Sequence, residues 1–508
     1  MKFHFGNKIV GALLLCLTAL LSGCNSGSND SGSPPPSSAI LVAFITQLSG
    51  AQENPPVLTA AAGNATFVVD VNTGQITGDV ITSDLTANAA HIHTGDPGIN
   101  GPIIIGLTQT AAGSGIWSVP PNTILTAAQL TTVRTGGLYA NVHSDLYPGG
   151  QIRGQIGRPT FTTRMAGSQE NPPVTTTATG TGVFSVDLQT RALSGRVVTS
   201  GLTATAAHIH AGAIGVNAPV AVGFVQTEPG SGIWVPPANT ILTPEQFQSF
   251  LAGGTYFNVH SAAFPGGEIR GQIGRDVFDV VLTGAQENPP VAGGGSATSR
   301  IVINPATREV SGSITNIGIA ATAGHIHTGL FGVNGPVLVP TTQAAAGSAT
   351  WNFTPATFTV AQYRAFLFGN MYANTHSAAF PGGEARGQIG KVTRTGLLSG
   401  ANEVPPTTTT ATGRGRAELD ANTLDVFVTI TTTGVTASAA HLHLGAVGAN
   451  GAVIVPLTQG PTNTWTSAAG AKLTQAQAVA FAAGGTYFNV HSVALPGGEV
   501  RGQAAGLD

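Results

Sequence analysis

The chain has 508 residues, of which 8% are charged and 42% hydrophobic, with 69 Gly and a formal net charge of −3. Ordinary globular domains carry roughly 25% charge, yet this chain is too apolar for a charged disordered tail. Lysine occurs only at Lys2, Lys8, Lys391 and Lys472, and no Lys/Arg cluster could follow a phosphate backbone, which excludes nucleic acid as a partner.

The first predicted element is an address. Lys2 and Lys8 precede an apolar stretch from Ile9 to Leu21, closed by Leu21-Ser22-Gly23-Cys24. A basic start, a short apolar run and small residues before the cut predict a secretory signal over 1–23. A membrane-spanning helix would need about 20 apolar residues. The Leu-Ser-Gly-Cys ending resembles the lipobox of bacterial lipoproteins. That resemblance implies lipidation at Cys24 and a lipid-anchored place in the cell envelope, with Asn25 pointing to the outer membrane or cell surface. Residues 24–39, rich in Ser, Gly, Asn and Pro, predict a flexible linker. Cys16 leaves with the signal, so the mature chain has neither a disulfide nor a thiolate metal ligand.

Beyond the linker the chain repeats. Leu48-Ser49-Gly50-Ala51-Gln52-Glu53-Asn54-Pro55-Pro56 recurs as Met165 to Pro173, Leu282 to Pro290 and Leu398 to Pro406. The spacing predicts four tandem modules, over 40–158, 159–275, 276–391 and 392–508. Solenoid units run only about 20–45 residues, so these are separate domains. Within a module, short runs such as Ala65 to Val71 and Gln75 to Val80 alternate apolar and small polar residues, and Gly, Pro or Asn interrupts them. About seven or eight strands per module predict an all-β fold, an antiparallel sandwich or Greek-key barrel. One short helix per module is marked by a capping box, Thr126 with Gln129, Thr243 with Gln246, Thr359 with Gln362 and Thr474 with Gln477. Gly136, Gly253, Gly369 and Gly484 are placed to end these helices. One Trp per module (Trp117, Trp234, Trp351, Trp465) is expected in the core.

Histidine carries the chemistry. Of 13 His, His4 lies in the signal and twelve fall three to a module. His91 and His93 are followed by His143; His208 and His210 by His260; His325 and His327 by His376; His441 and His443 by His491. Residues i and i+2 of a strand share one face, about 6.6 Å apart along the backbone. Two imidazoles can converge from there on one ion at about 2.0–2.1 Å. Tyr139, Asn141 and His143 likewise share a face of a later strand. Three imidazoles without a thiolate suit copper or zinc. The competing reading is a plain hydrogen-bonded patch, but the copies have drifted elsewhere while all twelve histidines stayed. Gly95, Gly98 and Asn100, with their counterparts, predict a turn after the His pair. Arg153, Arg270, Arg386 and Arg501 are expected to pair internally with Glu53, Glu170, Glu287 and Glu403. Gln151 stands where the other modules have Glu268, Glu384 and Glu499, which argues against an obligatory carboxylate ligand there.

Together, Leu-x-Gly-x-x-Glu-x-Pro-Pro, His-Ile-His-x-Gly, Tyr-x-Asn-x-His-Ser and Pro-Gly-Gly-Glu-x-Arg-Gly-Gln resemble the CHRD domain, named from chordin, in all four modules. The resemblance implies a β-sandwich-like domain outside the cell. The Cys-rich growth-factor-binding modules that accompany it in chordin are missing here. His-x-His-x-Gly also resembles copper–zinc superoxide dismutase, but the chain lacks that family's bridging His, zinc loop and disulfide. No catalytic residues are assigned, because no Ser/His/Asp triad, carboxylate pair or phosphate loop is present. The expected role is non-enzymatic: an envelope lipoprotein binding or buffering copper or zinc. The alternatives are an adhesion or matrix array with an extracellular protein partner, and a redox-active copper enzyme.

Overall fold

A computed structural model describes residues 40–292 and 294–505. The signal, Cys24 and the linker lie outside these residues. Within them, no helix is long and apolar enough to cross a membrane.

In the first module the strands are β1 (Leu41–Ser49), β2 (Ala62–Asp70), β3 (Ile76–Ser83), β4 (Ala87–Thr94), β5 (Ile103–Gly106), β6 (Thr108–Gln109), β7 (Ile116–Ser118), β8 (Leu138–Ser144) and β9 (Ile152–Gln155), with α1 (Ala127–Arg134) before β8. Period-2 alternation decides which face turns inward. In β2, Ala65, Phe67 and Val69 are buried while Asn64 and Thr66 stay outside. β1, β2 and β3 form a meander, the chain crosses to β4, and β7 returns beside β3. β4 then pairs β8, β8 pairs β9, and β9 meets β1 at Ser49 and Arg153. β5 and β6, interrupted at Leu107, act as one strand, since the equivalent Val453–Gln459 of the fourth module is continuous. Each module is thus an eight-stranded antiparallel Greek-key barrel, and the fourth closes without interruption. Of the two all-β architectures the sequence predicts, the barrel is the one formed.

The helices begin as their capping boxes require. In all four, the Thr side chain accepts from the Gln backbone N–H, and the Gln side chain accepts from the Thr backbone N–H. Gly136, Gly253, Gly369 and Gly484 follow with φ of 68–75°, a region where a side chain would clash. Val133, Phe250, Phe366 and Phe481 plug the helix into the barrel interior. Burying such a side chain contributes about 1.5–3 kcal/mol. Trp117, Trp234 and Trp465 are buried as expected. Trp351 is only half-buried, and Phe353, two residues along the same strand, supplies the buried aromatic there.

Candidate metal centre

β4 has two functions on its two faces. Ala90 and Ile92 point into the core, while His91 and His93 point outward. β8 lies beside it in register, with Tyr139 opposite His93, Asn141 opposite His91 and His143 opposite Ala89. The pairing brings together the three histidines that stand far apart in sequence. One ring nitrogen from each lies within 4.8 Å of the other two, in His91/His93/His143, His208/His210/His260, His325/His327/His376 and His441/His443/His491. All twelve predicted residues therefore assemble into four triads of three. No Asp, Glu or Cys joins any of them among the described residues.

The outer nitrogens show which inner ones are free. His93 Nδ1 lies 2.9 Å from the Gly101 carbonyl, and His143 Nδ1 lies 3.0 Å from that of Pro148. A carbonyl can only accept, so both Nδ1 atoms carry the proton and both Nε2 atoms present lone pairs. The other modules repeat this with Ala218, Gly335 and Gly451 for the first carbonyl and Pro265, Pro381 and Pro496 for the second. Nε2 of His93, His210, His327 and His443 is buried with no hydrogen-bond partner. His91 Nδ1 faces His143 Nε2 at 3.1 Å, and the second and third modules have the same contact at 3.2 Å. In the fourth, His441 Nδ1, His443 Nε2 and His491 Nε2 are all buried and all unpartnered. Burial holds His91, His93 and His143 below the ordinary imidazole range, and takes His325 and His441 down to about 4. At neutral pH these five rings are uncharged donors.

Behind the buried ligand stands a column of aromatic and cationic groups that the sequence reading did not foresee. The Tyr139 ring stacks on His93, with centroids 4.8 Å apart and planes 10° apart. The Arg153 guanidinium covers the other face, 3.5 Å from the Tyr139 centroid. The same column forms at Tyr256/Arg270, Tyr372/Arg386 and Tyr487/Arg501. The Arg153 side chain donates to the carbonyls of Asp96 and Ile99 and to Asn100 Oδ1. It thereby clamps the turn whose Gly101 carbonyl orients His93, and the Gly101 N–H donates to the Tyr139 hydroxyl. In that turn Gly98 adopts φ 74°, and a side chain at Gly95 would strike the Ile99 carbonyl and the Tyr139 ring.

The expected Arg–Glu ion pair is not formed among the described residues. Each guanidinium is taken up by turn carbonyls and a tyrosine ring, which leaves the Glu to the strand asparagine. Asn374 donates to Glu287 at 2.6 Å and Asn258 to Glu170 at 3.4 Å, both bonds buried. Burial raises Glu53 to about 8 and Glu170, Glu287 and Glu403 to about 7, outweighing the opposing charge of the nearby arginine. Glu268 and Glu499 accept from the hydroxyls of Thr176 and Thr409, and Glu384 from the Gly295 N–H. Gln151 in the same place donates to Thr59, so this position serves packing rather than ligation.

The barrel and its triads belong to a recognisable class. The CHRD domain family matches residues 44–156, 161–273, 278–389 and 395–504. The chain is a member of that family, with four copies in tandem. No curated protein matches it. Among solved structures, one described as intact Ap-TbpB (N and C lobes) aligns over 95% of this chain and 98% of that one, at 8% identity and a TM-score of 0.09, too low to carry any argument.

Proposed function

We propose that each module binds one copper or zinc ion through its three histidines, and that the chain is an envelope lipoprotein carrying four such sites for metal binding and buffering. The observation that carries this reading is the buried, unpartnered Nε2 of His93, His210, His327 and His443, each with its proton held on the opposite nitrogen by a backbone carbonyl. Leaving a buried acceptor unsatisfied costs about 1–3 kcal/mol, and a bound cation removes that cost. The three-nitrogen set leaves room on a tetrahedral ion for water or a small ligand.

The test is metal content after loading with copper and zinc. About four ions per chain are expected, and about three after His91→Ala with His143→Ala. No stoichiometric metal would overturn the reading and favour the adhesive array, for which four modules on one tether would make weak contacts strong. The anchor is checked separately: Cys24→Ala is expected to release the protein from membranes.

A further inference from the structure

We propose that each triad is a cuprous site, binding Cu(I) in preference to Cu(II) and Zn(II). The inference rests on the metal-binding reading above and concerns the charge of the ion. Imidazole by itself suits copper and zinc alike, so donor type leaves the choice open. The surroundings close it.

All three donors are neutral. The far nitrogens of two of the three ligands, His443 and His491, are held by the carbonyls of Gly451 and Pro496 in the fourth module, with matching carbonyls elsewhere, and not by carboxylates. Carboxylates, backbone carbonyls and water all hold the far nitrogen of metal-bound histidines, but only a carboxylate there adds compensating negative charge. No acidic side chain joins the triad in any module among the described residues. Even the acids near the first site are private to it. Asp145, bound by Asn88, is Ala262, Ala378 or Val493 in the other copies, and Asp96 is Ala213, Leu330 or Ala446.

The one acid that recurs, Glu403 with its counterparts, bonds the strand asparagine and no histidine, and the charge stacked behind a ligand is positive. Arg501 lies 3.5 Å from the Tyr487 centroid, and that ring stacks on His443 at 4.8 Å. A fixed guanidinium therefore stands behind a ligand in all four sites, buried to within 1–2% of its surface. The same spacing holds in the other modules, 3.4–3.5 Å from guanidinium to tyrosine centroid and 4.7–4.8 Å from tyrosine to histidine, so the charge lies one ring away from the ligand. A metal cation bound there feels that field, and a dication feels it twice as strongly as Cu(I). Zinc at three imidazoles completes its tetrahedron with water, so the ligand count alone does not discriminate. Cu(I) is the ion that needs the least compensating negative charge.

The experiment uses the full chain carrying His93→Ala, His210→Ala and His327→Ala, so that only the fourth triad is complete. Affinity for Cu(I) is measured anaerobically with ascorbate against bicinchoninate, and affinities for Cu(II) and Zn(II) against nitrilotriacetate. Cu(I) is expected to bind at least about 100-fold more tightly than either dication. Arg501→Gln should shrink that ratio by about 10-fold, the effect of one charge at roughly 10 Å in a partly buried setting, while Arg501→Lys retains it. A ratio near one would overturn the proposal and leave metal binding intact; failure to bind any of the three ions would overturn both. Should Arg501→Gln not fold, the ratio in the chain with Arg501 intact decides alone.

Discussion

The first and fourth modules carry the same triad in two conditions. In the first, His91 Nδ1 and His143 Nε2 lie 3.1 Å apart and satisfy each other. In the fourth, the corresponding His441 and His491 nitrogens have no partner at all. Convergence is nevertheless the same, with the three nitrogens of each set within 4.8 Å. The imidazole–imidazole bond therefore does not shape the site. What the two modules share is the pair of carbonyls that fix the ligand protons, the stacked tyrosine and the clamping arginine. A purely structural hydrogen-bond network leaves one buried triad nitrogen unsatisfied in the first module, His93 Nε2, and three in the fourth.

The largest expected effect separates these readings. His443→Ala removes the ligand held by Gly451 and should abolish metal binding in the fourth module while leaving about three ions per chain. His93→Ala should do the same in the first. Metal analysis of the two variants checks this, and equal metal content before and after would make the fourth triad no different from a hydrogen-bonded patch. The inner face of the same strands gives the next effect. Ile92 and Leu442 are fully buried, and either →Ala change should cost about 2–5 kcal/mol from lost burial and the cavity left behind. Hydrogen exchange resolved by peptide would report it within the altered barrel; a loss under about 1 kcal/mol would mean that the barrel relaxes around the gap.

The buried glutamates sharpen the comparison through pH. Glu53 titrates near 8 and Glu403 near 7, both above the ordinary 4.5 because burial disfavours the charged form. A carboxyl that holds its proton more tightly when folded stabilises the fold fully below about pH 4.5, and that contribution is lost as pH rises through the folded value. Each pH unit in that window is worth about 1.4 kcal/mol. Exchange protection should therefore fall from pH 5 to 8 in the first module and level off nearer 7 in the fourth. Glu53→Gln, which keeps a neutral polar group, should flatten the first profile alone. An unchanged slope would show that Glu53 is ionised throughout.

The sequence made legible what depends on neighbours. His-x-His on a strand, Thr-x-x-Gln before a helix and Gly after it are local chemistry, and all four copies fold as that chemistry requires. The destination of Arg153 was not legible, because its partners Asp96 and Ile99 come from a turn more than 50 residues away. Charge matching pointed to Glu53, whereas the folded chain offers the guanidinium three oxygen acceptors and a tyrosine face. Trp351 escaped for a similar reason, since Phe353 on the same strand competes for the interior. Tyr139 could have been singled out from its recurrence at Tyr256, Tyr372 and Tyr487, but its stacking on the ligand depends on strand register.

The smallest expected effect lies at the rim. Asp145 accepts from Asn88 at 2.6 Å on an exposed surface of the first module, and alanine or valine stands there in the others. Exposed polar pairs of this kind are worth little, and Asp145→Ala should shift stability by no more than about 0.5 kcal/mol. It would, however, remove one of the two carboxylates, Asp145 and Asp96, that the first module carries and the fourth lacks. Cu(I)-to-Zn(II) selectivity at the first site should then rise toward the fourth-site value with almost no change in unfolding midpoint. A selectivity that stays put would mean that the rim does not tune the ion, and that the column of Tyr139 and Arg153 sets the preference by itself.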